Sequence, residues 1–249
     1  MTNSRICTGL TTPVVKQTLL FGTLLLAAAA SAETSETQLR ERLLELNPDL
    51  APDQIRPAPV PGLYEVLYGA QVFYITDDGK HLISGGELID LENRISLTEV
   101  SRAAVRAELL ETYGADKMLV FPATVSRRHT IVVVTDIDCP YCQKFHEHMK
   151  EFNASGIEIR YLLYPRAGLD SGSYHKSVSV WCAPDRQDAL TRAKRQEPVP
   201  PKTCANPVAE HMDLVDRINI RSTPSIFLPD GALVRGYRPP AELLALLGD

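Results

Sequence analysis

Cys139 and Cys142 are separated by Pro140 and Tyr141 and follow an apolar run that ends in Asp136-Ile137-Asp138. Two thiols at that spacing on the first turn of a helix sit where free backbone N–H groups and the helix dipole favour an anion. The outer sulfur, that of Cys139, is then held as a thiolate, the nucleophilic form in disulfide exchange. The Cys142 sulfur lies one turn further in, placed to attack a mixed disulfide on Cys139 and release what is bound there. Pro140 suits a helix start because it has no N–H to leave unpaired. Tyr141, inside the motif, either tunes the pair or touches a substrate.

Two other chemistries compete for these thiols. A zinc site needs a second close pair, and Cys182 and Cys204 lie too far apart in sequence to mimic one. His146 and His148 alternate along a helix and cannot both face one ligand point. A structural bond inside Cys-x-x-C is the other alternative, uncommon at a helix start after a buried strand. Thiol exchange itself calls for no cofactor and no metal.

Two further features belong with the pair. Thr223-Pro224 stands directly before a strand, where a cis proline would lie beside the cysteines and leave the Thr223 backbone free to pair with an extended peptide. An ordinary trans loop is the alternative there. Cys182 and Cys204 read as a structural disulfide across an inserted segment, worth about 3 kcal/mol in loop entropy. Trp181, beside it, reads as core packing.

The chain has 249 residues, 44% hydrophobic and 23% charged, with 26 Lys+Arg against 31 Asp+Glu and a net charge of −5. An acidic chain without a basic block is a poor partner for nucleic acid, whose affinity rests on phosphate neutralisation. Residues 1–32 read as a cleaved signal peptide: Arg5 and Lys16, an apolar run from Leu19 to Ala30, then Ala30-Ser31-Ala32. That run is short of the ~20 residues a membrane span needs. Cys7 leaves with it, and the four remaining cysteines form an even count in an exported chain, the arithmetic of disulfides.

The elements that must position these residues fall into two rhythms. Glu36 to Leu46 reads as a short amphipathic helix, and Pro57, Pro59 and Pro61 hold the next stretch extended. Strands follow at Tyr64–Tyr68, Val72–Thr76 and His81–Ser84, with Asp77-Asp78-Gly79 supplying a hairpin turn. This α+β unit, residues 33–96, is too small to bury much apolar surface alone and leaves strand edges open, so it is expected to pair with a copy of itself. Leu97 to Tyr113 is a helix capped by Ser96 or Thr98 and closed by Gly114, and 97–124 is read as connector helix and linker. From 125 to 249 the order changes to that of a thioredoxin-like α/β domain with a helical insertion. The elements are a β-branched strand at Thr130–Thr135, one helix from the cysteines to about Asn153, a strand at Ile157–Tyr164 and a helix near Ser173–Trp181. A charged, Pro-interrupted segment at Asp185–Pro201 precedes a helix near Val208–Ile218, strands at Ser225–Leu228 and to Val234, and a helix at Pro240–Leu247.

With these residues in place the chain resembles the DsbC/DsbG family of periplasmic disulfide isomerases. The resemblance is carried by Thr-Asp-Asp-Gly-Lys-His (76–81), Cys-Pro-Tyr-Cys (139–142) followed by Phe145-His146-Glu147, and Pro-Arg-Ala-Gly-Leu-Asp (165–170). Trp181-Cys182-Ala183, Thr223-Pro224 and Gly-Tyr-Arg-Pro-Pro (236–240) complete it. It implies a V-shaped homodimer built on cystatin-like N-terminal domains, with two thioredoxin-like domains facing an apolar cleft. It also implies a periplasmic location, misoxidised exported proteins as substrates, and a membrane thiol reductase of the DsbD type that keeps the pair reduced. Pro-Tyr between the cysteines is the dipeptide of DsbG-like members, where DsbC-like ones carry Gly-Tyr. That departure leaves open a reductase of sulfenic acids on single cysteines. A holdase chaperone and a monomeric oxidase of the DsbA type are the remaining alternatives.

Overall fold

A computed structural model of the chain describes residues 35–248; the expected signal segment, 1–32, lies outside them. Helix α1 (35–46) puts Leu39 and Leu43, one turn apart, onto an antiparallel sheet, where both are buried with Ile55, Val66 and Ile75. The sheet has the order β1 (Gln54–Pro57), β2 (Leu63–Tyr68), β3 (Gln71–Thr76), β4 (Leu82–Ile83). Strand β1 occupies the stretch expected only to be extended. It is an edge strand with Pro57 at its end, where a missing N–H interrupts no ladder. A two-stranded ribbon, β5 (Ile89–Asp90) and β6 (Ile95–Ser96), was not legible in the sequence and leads directly into the next helix.

Helix α2 (Leu97–Tyr113) is capped by Ser96, whose side chain accepts from the Glu99 N–H, and ends at Gly114. Thr98, the other expected cap, is buried and hydrogen-bonds the Tyr74 hydroxyl at 2.6 Å. The helix serves two cores. Val105 packs toward Leu67, Val72 and Tyr74 of the first sheet, and Leu110 joins Val132, Val134, Leu162 and Phe227 of the second. The chain turns at Gly231 so close to α2 that a Cβ there would run into the Ala103 carbonyl. Likewise the β2–β3 turn rests on the end of a later helix: Ala70 N–H donates to the Arg217 carbonyl at 2.8 Å, and a Cβ on Gly69 would strike it.

The second sheet runs β11 (Leu233–Arg235), β10 (Ser225–Phe227), β8 (His129–Thr135), β9 (Ile157–Leu163), β7 (Leu119–Phe121). Only β8 and β9 pair in parallel. Strand β7 corrects the expected linker: Leu119 to Phe121 pair with Tyr161 to Ile159, so the sheet starts before residue 125. Three residues are too few to display a strand's period, and their partner is remote in sequence. β8 is central and covered on both faces, Ile131 and Val133 toward one core and Val132 and Val134 toward the other. This is why it reads as an unbroken apolar run.

The helix begun by the cysteines is two helices, α3 (Pro140–Glu147) and α4 (Met149–Ala154). At His148 the N–H bonds the carbonyl of Phe145, three residues back, and the ladder tightens for one step. After β9 come α5 (Gly172–Trp181), α6 (Arg186–Lys194), α7 (Val208–Arg217) and, after β11, α8 (Pro240–Leu247). Helix α6 lies within the segment expected as charged and Pro-interrupted. Asp185 caps it, and it buries only Ala189, Leu190, Ala193 and Lys194. Among the described residues no helix is long and apolar enough to cross a membrane.

His211 on α7 fastens the two ends of this layer. Its Nδ1 accepts from the Leu163 N–H at 3.1 Å and its Nε2–H donates to the Lys117 carbonyl at 2.7 Å, partners that fix the neutral ring. Burial lowers its pKa from 6.5 to about 4. The unfolded chain takes up this proton near 6.5 and the folded chain near 4, so the stability present above pH 6.5 is lost as pH falls through that window. The loss amounts to about 3 kcal/mol. Denaturant unfolding at a series of pH values should show it, and His211→Gln should be less stable at pH 7.5 yet lose less on acidification. An unchanged pH slope in the variant would contradict the assignment.

Candidate active site

Strand β8 ends at Thr135, and Asp136-Ile137-Asp138 carries the chain over the top of the sheet to Cys139, the residue preceding α3. Asp136 sets the path of that loop. Its carboxylate, buried to 4% exposure, accepts from Ser173 Oγ at 2.6 Å, Asp138 N–H at 3.0 Å, Arg166 N–H at 3.1 Å and Arg166 Nε at 3.2 Å. Burial raises its pKa, but these donors outweigh burial and hold it below the ordinary carboxylate value. The loop after β8, the Pro165–Asp170 loop and the start of α5 are thereby tied to one anion.

The geometry brings four of the singled-out residues together. Cys139 and Cys142 are both reduced, and the Cys139 thiol donates to the Thr223 carbonyl at 3.4 Å. The Thr223–Pro224 bond is cis, and Pro224 is buried at the foot of β10. The Thr223 hydroxyl is buried without a hydrogen-bond partner among the described residues, and it favours the ionised form of the Cys139 sulfur. Pro140 and Tyr141 lie outside the cluster on the exposed rim, Tyr141 with 64% of its surface free.

The two sulfurs are driven apart electrically. The Cys142 S–H, donated to the Cys139 sulfur, does most to lower the Cys139 pKa. Burial opposes it, and the Thr223 hydroxyl, the Cys142 N–H and the Arg166 charge reinforce it. The net shift is down, so Cys139 is the sulfur that ionises first. Burial and the same hydrogen bond raise Cys142 far above an ordinary thiol. The spacing of the cysteines points to the helix end as the cause; the structure adds the partner thiol as the larger one.

Cys182 and Cys204 are bonded to each other, Cα atoms 5.7 Å apart, and close a loop that contains α6. Trp181 is buried in the core with the Arg186 guanidinium 3.9 Å above its ring. His146 and His148 diverge. His146 is buried between the Tyr161 hydroxyl and Thr191, and His148 meets Glu151 and the Tyr237 hydroxyl. The polar residues around the sulfurs, namely Thr135, Asp136, Arg166, Ser173 and Lys194, were not singled out from sequence. Asp136 carried the one available signal, an acid closing a wholly apolar strand directly before Cys-x-x-C.

A five-stranded thioredoxin-like sheet with a thiolate and a buried thiol at one helix start, joined to a small α+β unit, defines a two-domain thiol:disulfide oxidoreductase. Residues 121–249 match the thioredoxin-like domain family, and residues 27–99 match the disulfide bond isomerase protein N-terminal domain. The chain is 37% identical to the thiol:disulfide interchange protein DsbC of Dickeya dadantii, over 93% of this chain and 94% of that one. To the DsbC of Escherichia coli K12 it is 33% identical over 94% and 97%, and to that of Haemophilus influenzae 32% over 92% and 96%. The chain belongs to the DsbC family.

Removing the Cys142 thiol should raise the Cys139 pKa, because its largest lowering contribution goes with it. Alkylation of Cys139 by iodoacetamide at pH 4, below both midpoints, should slow by about tenfold in Cys142→Ala, one pKa unit. The midpoint should stay below that of a free thiol, since Thr223, Arg166 and the backbone N–H remain. A midpoint unmoved by the substitution would refute the partner thiol as the main cause.

Proposed function

We propose that this chain is a periplasmic homodimeric disulfide isomerase, made with a signal peptide at 1–32, that reshuffles wrong disulfides in exported proteins. The observation that carries the reading is the pairing of a thiolate at Cys139 with a buried, high-pKa thiol at Cys142 beside Thr223 and Pro224. Cys139 attacks a non-native disulfide and forms a mixed disulfide, releasing a substrate thiolate. That thiolate attacks elsewhere in the substrate, and the last exchange returns Cys139 free with no net change of oxidation state. When no such exchange follows, Cys142 attacks Cys139, and the substrate leaves reduced. A membrane thiol reductase of the DsbD type then restores the pair.

The dimer is supported by the exposed edge of the first sheet. Among the described residues strand β4 has no neighbour on its outer side, and Leu82 and Ile83 stand exposed on it, with Ile89, Leu91 and Ile95 also exposed. An open apolar edge is a site for pairing, and a two-fold axis would satisfy both edges at once. In this reading 33–96 is the dimerisation domain, α2 the connector, and the thioredoxin-like domain begins by β7.

The reactivation of a protein with scrambled disulfides tests the catalytic part. Cys139→Ala should abolish it, and Cys142→Ala should keep a fraction, since isomerisation needs only the outer sulfur; activity that survives loss of Cys139 would reject the assignment. The Pro140-Tyr141 dipeptide keeps sulfenic acid reduction as a second reading. Mixed disulfides trapped on Cys142→Ala decide between them, multi-cysteine clients for the isomerase and single-cysteine clients for the reductase. Sedimentation of residues 33–249 at micromolar concentration should give a dimer, and charged replacements at Leu82 and Ile83 should give a monomer with much less isomerase activity. A mature chain that sediments as a monomer would favour the oxidase.

A further inference from the structure

Lys194 is a buried cation beside the sulfurs. It ends α6 at 4% exposure, and among the described residues no carboxylate forms an ion pair with it. Taking an ammonium out of water without a counter-ion is costly, and an apolar side chain of similar length would fill the site without that cost. Its Nζ donates instead to Thr135 Oγ1 and to the Asp136 carbonyl, each at 2.7 Å. Thr135 is the last residue of β8, and its hydroxyl favours the ionised form of the Cys142 sulfur. The ammonium donates to Oγ1, which leaves the Thr135 hydrogen available to that sulfur. The Asp136 N–H also serves it. The Asp136 carboxylate is turned away, toward Ser173 and Arg166.

We propose that Lys194, acting through the Thr135 hydroxyl, supplies the positive charge that lets buried Cys142 ionise when it releases substrate from Cys139. In that step the Cys142 S–H bond breaks and its electron pair forms the bond to Cys139 sulfur. The Cys139–substrate S–S bond breaks at the same time and its pair leaves on the substrate sulfur, which takes up the proton as a thiol. The products are a Cys139–Cys142 disulfide and a reduced substrate cysteine. The inference rests on the exchange chemistry proposed above, and it concerns only the second of its two steps.

The surroundings of Lys194 suit a charge that persists at neutral pH. Cys139 and Cys142 on α3, with Asp136 and Asp138 in the loop before it, favour the ammonium, whose charge, with that of Arg195 at the end of α6, helps burial keep His146 on α3 neutral. Burial lowers its pKa from 10.5 to about 8, which leaves it mostly protonated at pH 7. It also borders a groove between α3 and α6, lined by Gln143, His146 and Thr191. Lys194 is thus a positioning residue for charge, one hydroxyl removed from the reacting sulfur.

Single-turnover reaction of the reduced protein with a chromogenic aryl disulfide separates the steps. Attack by Cys139 releases the first aryl thiolate, and attack by Cys142 on the mixed disulfide releases the second. In Lys194→Met the second release should slow by about tenfold at pH 7, and its pH profile should move up by about one unit. The first release should change by less than about threefold, because Lys194 is not its main determinant. Thr135→Val should reproduce the slow second release without touching the lysine. The double variant should be no slower than the slower single one, since both changes cut the same connection. A second release of ordinary rate in Thr135→Val or Lys194→Met, or both releases slowed equally, would overturn the inference. Absence of the first release in the unsubstituted protein would overturn the exchange reading beneath it. If Lys194→Met does not fold, Thr135→Val decides alone.

Discussion

The site depends on how one buried carboxylic acid residue is satisfied. Asp136 uses every polar group it has. Its carboxylate takes four hydrogen bonds from Ser173, Asp138 and Arg166, its N–H serves the Cys142 sulfur, and its carbonyl accepts from both Lys194 and the Cys139 N–H. An unpaired anion in that position would cost several kcal/mol, so the donors must arrive together or not at all. The loops from β8, β9 and α5 therefore close on one point, and Cys139 is held over it. The nucleophile is placed by the demands of a neighbour that takes no part in the bond exchange.

Much of the framework was legible because it repeats. The bounds of α2 and α8 follow from their caps and apolar spacing, and β8 from its unbroken β-branched run. The elements that escaped are those whose cause lies elsewhere in the chain. β1 and β7 are edge strands of four and three residues that exist because β2 and β9 offer them ladders. Helix α6 shows almost no apolar stripe, because two alanines, a leucine and the stem of a lysine suffice to cover its side of the sheet. In the site, the sulfurs and Thr223-Pro224 announce themselves by type and spacing. Thr135, Arg166, Ser173 and Lys194 become meaningful only when four separate segments meet.

The same chemical group has two fates in this domain. Cys139 and Cys142 sit over a strand end with donors aimed at one sulfur and apolar cover over the other, which separates their acidities and favours exchange. Cys182 and Cys204 bind two loops to each other, with no comparable arrangement of donors, and serve to hold α6 against the sheet. Helix α2 divides its attention in a similar manner. One half completes the core of the first sheet and the other half that of the second, so neither core is finished without it.

The two cysteine pairs follow one another along the chain and do not interleave. The four cysteines of the described residues admit three pairings, and the free pair, 139 with 142, and the bonded pair, 182 with 204, are each neighbours in order of synthesis. Synthesis from the N-terminus presents each pair complete before the next begins. Pairing each cysteine with the next to appear gives this arrangement and neither of the other two. A catalyst whose task is to correct wrong pairings in others has to be free of them at birth, and the linear arrangement of its thiols meets that condition.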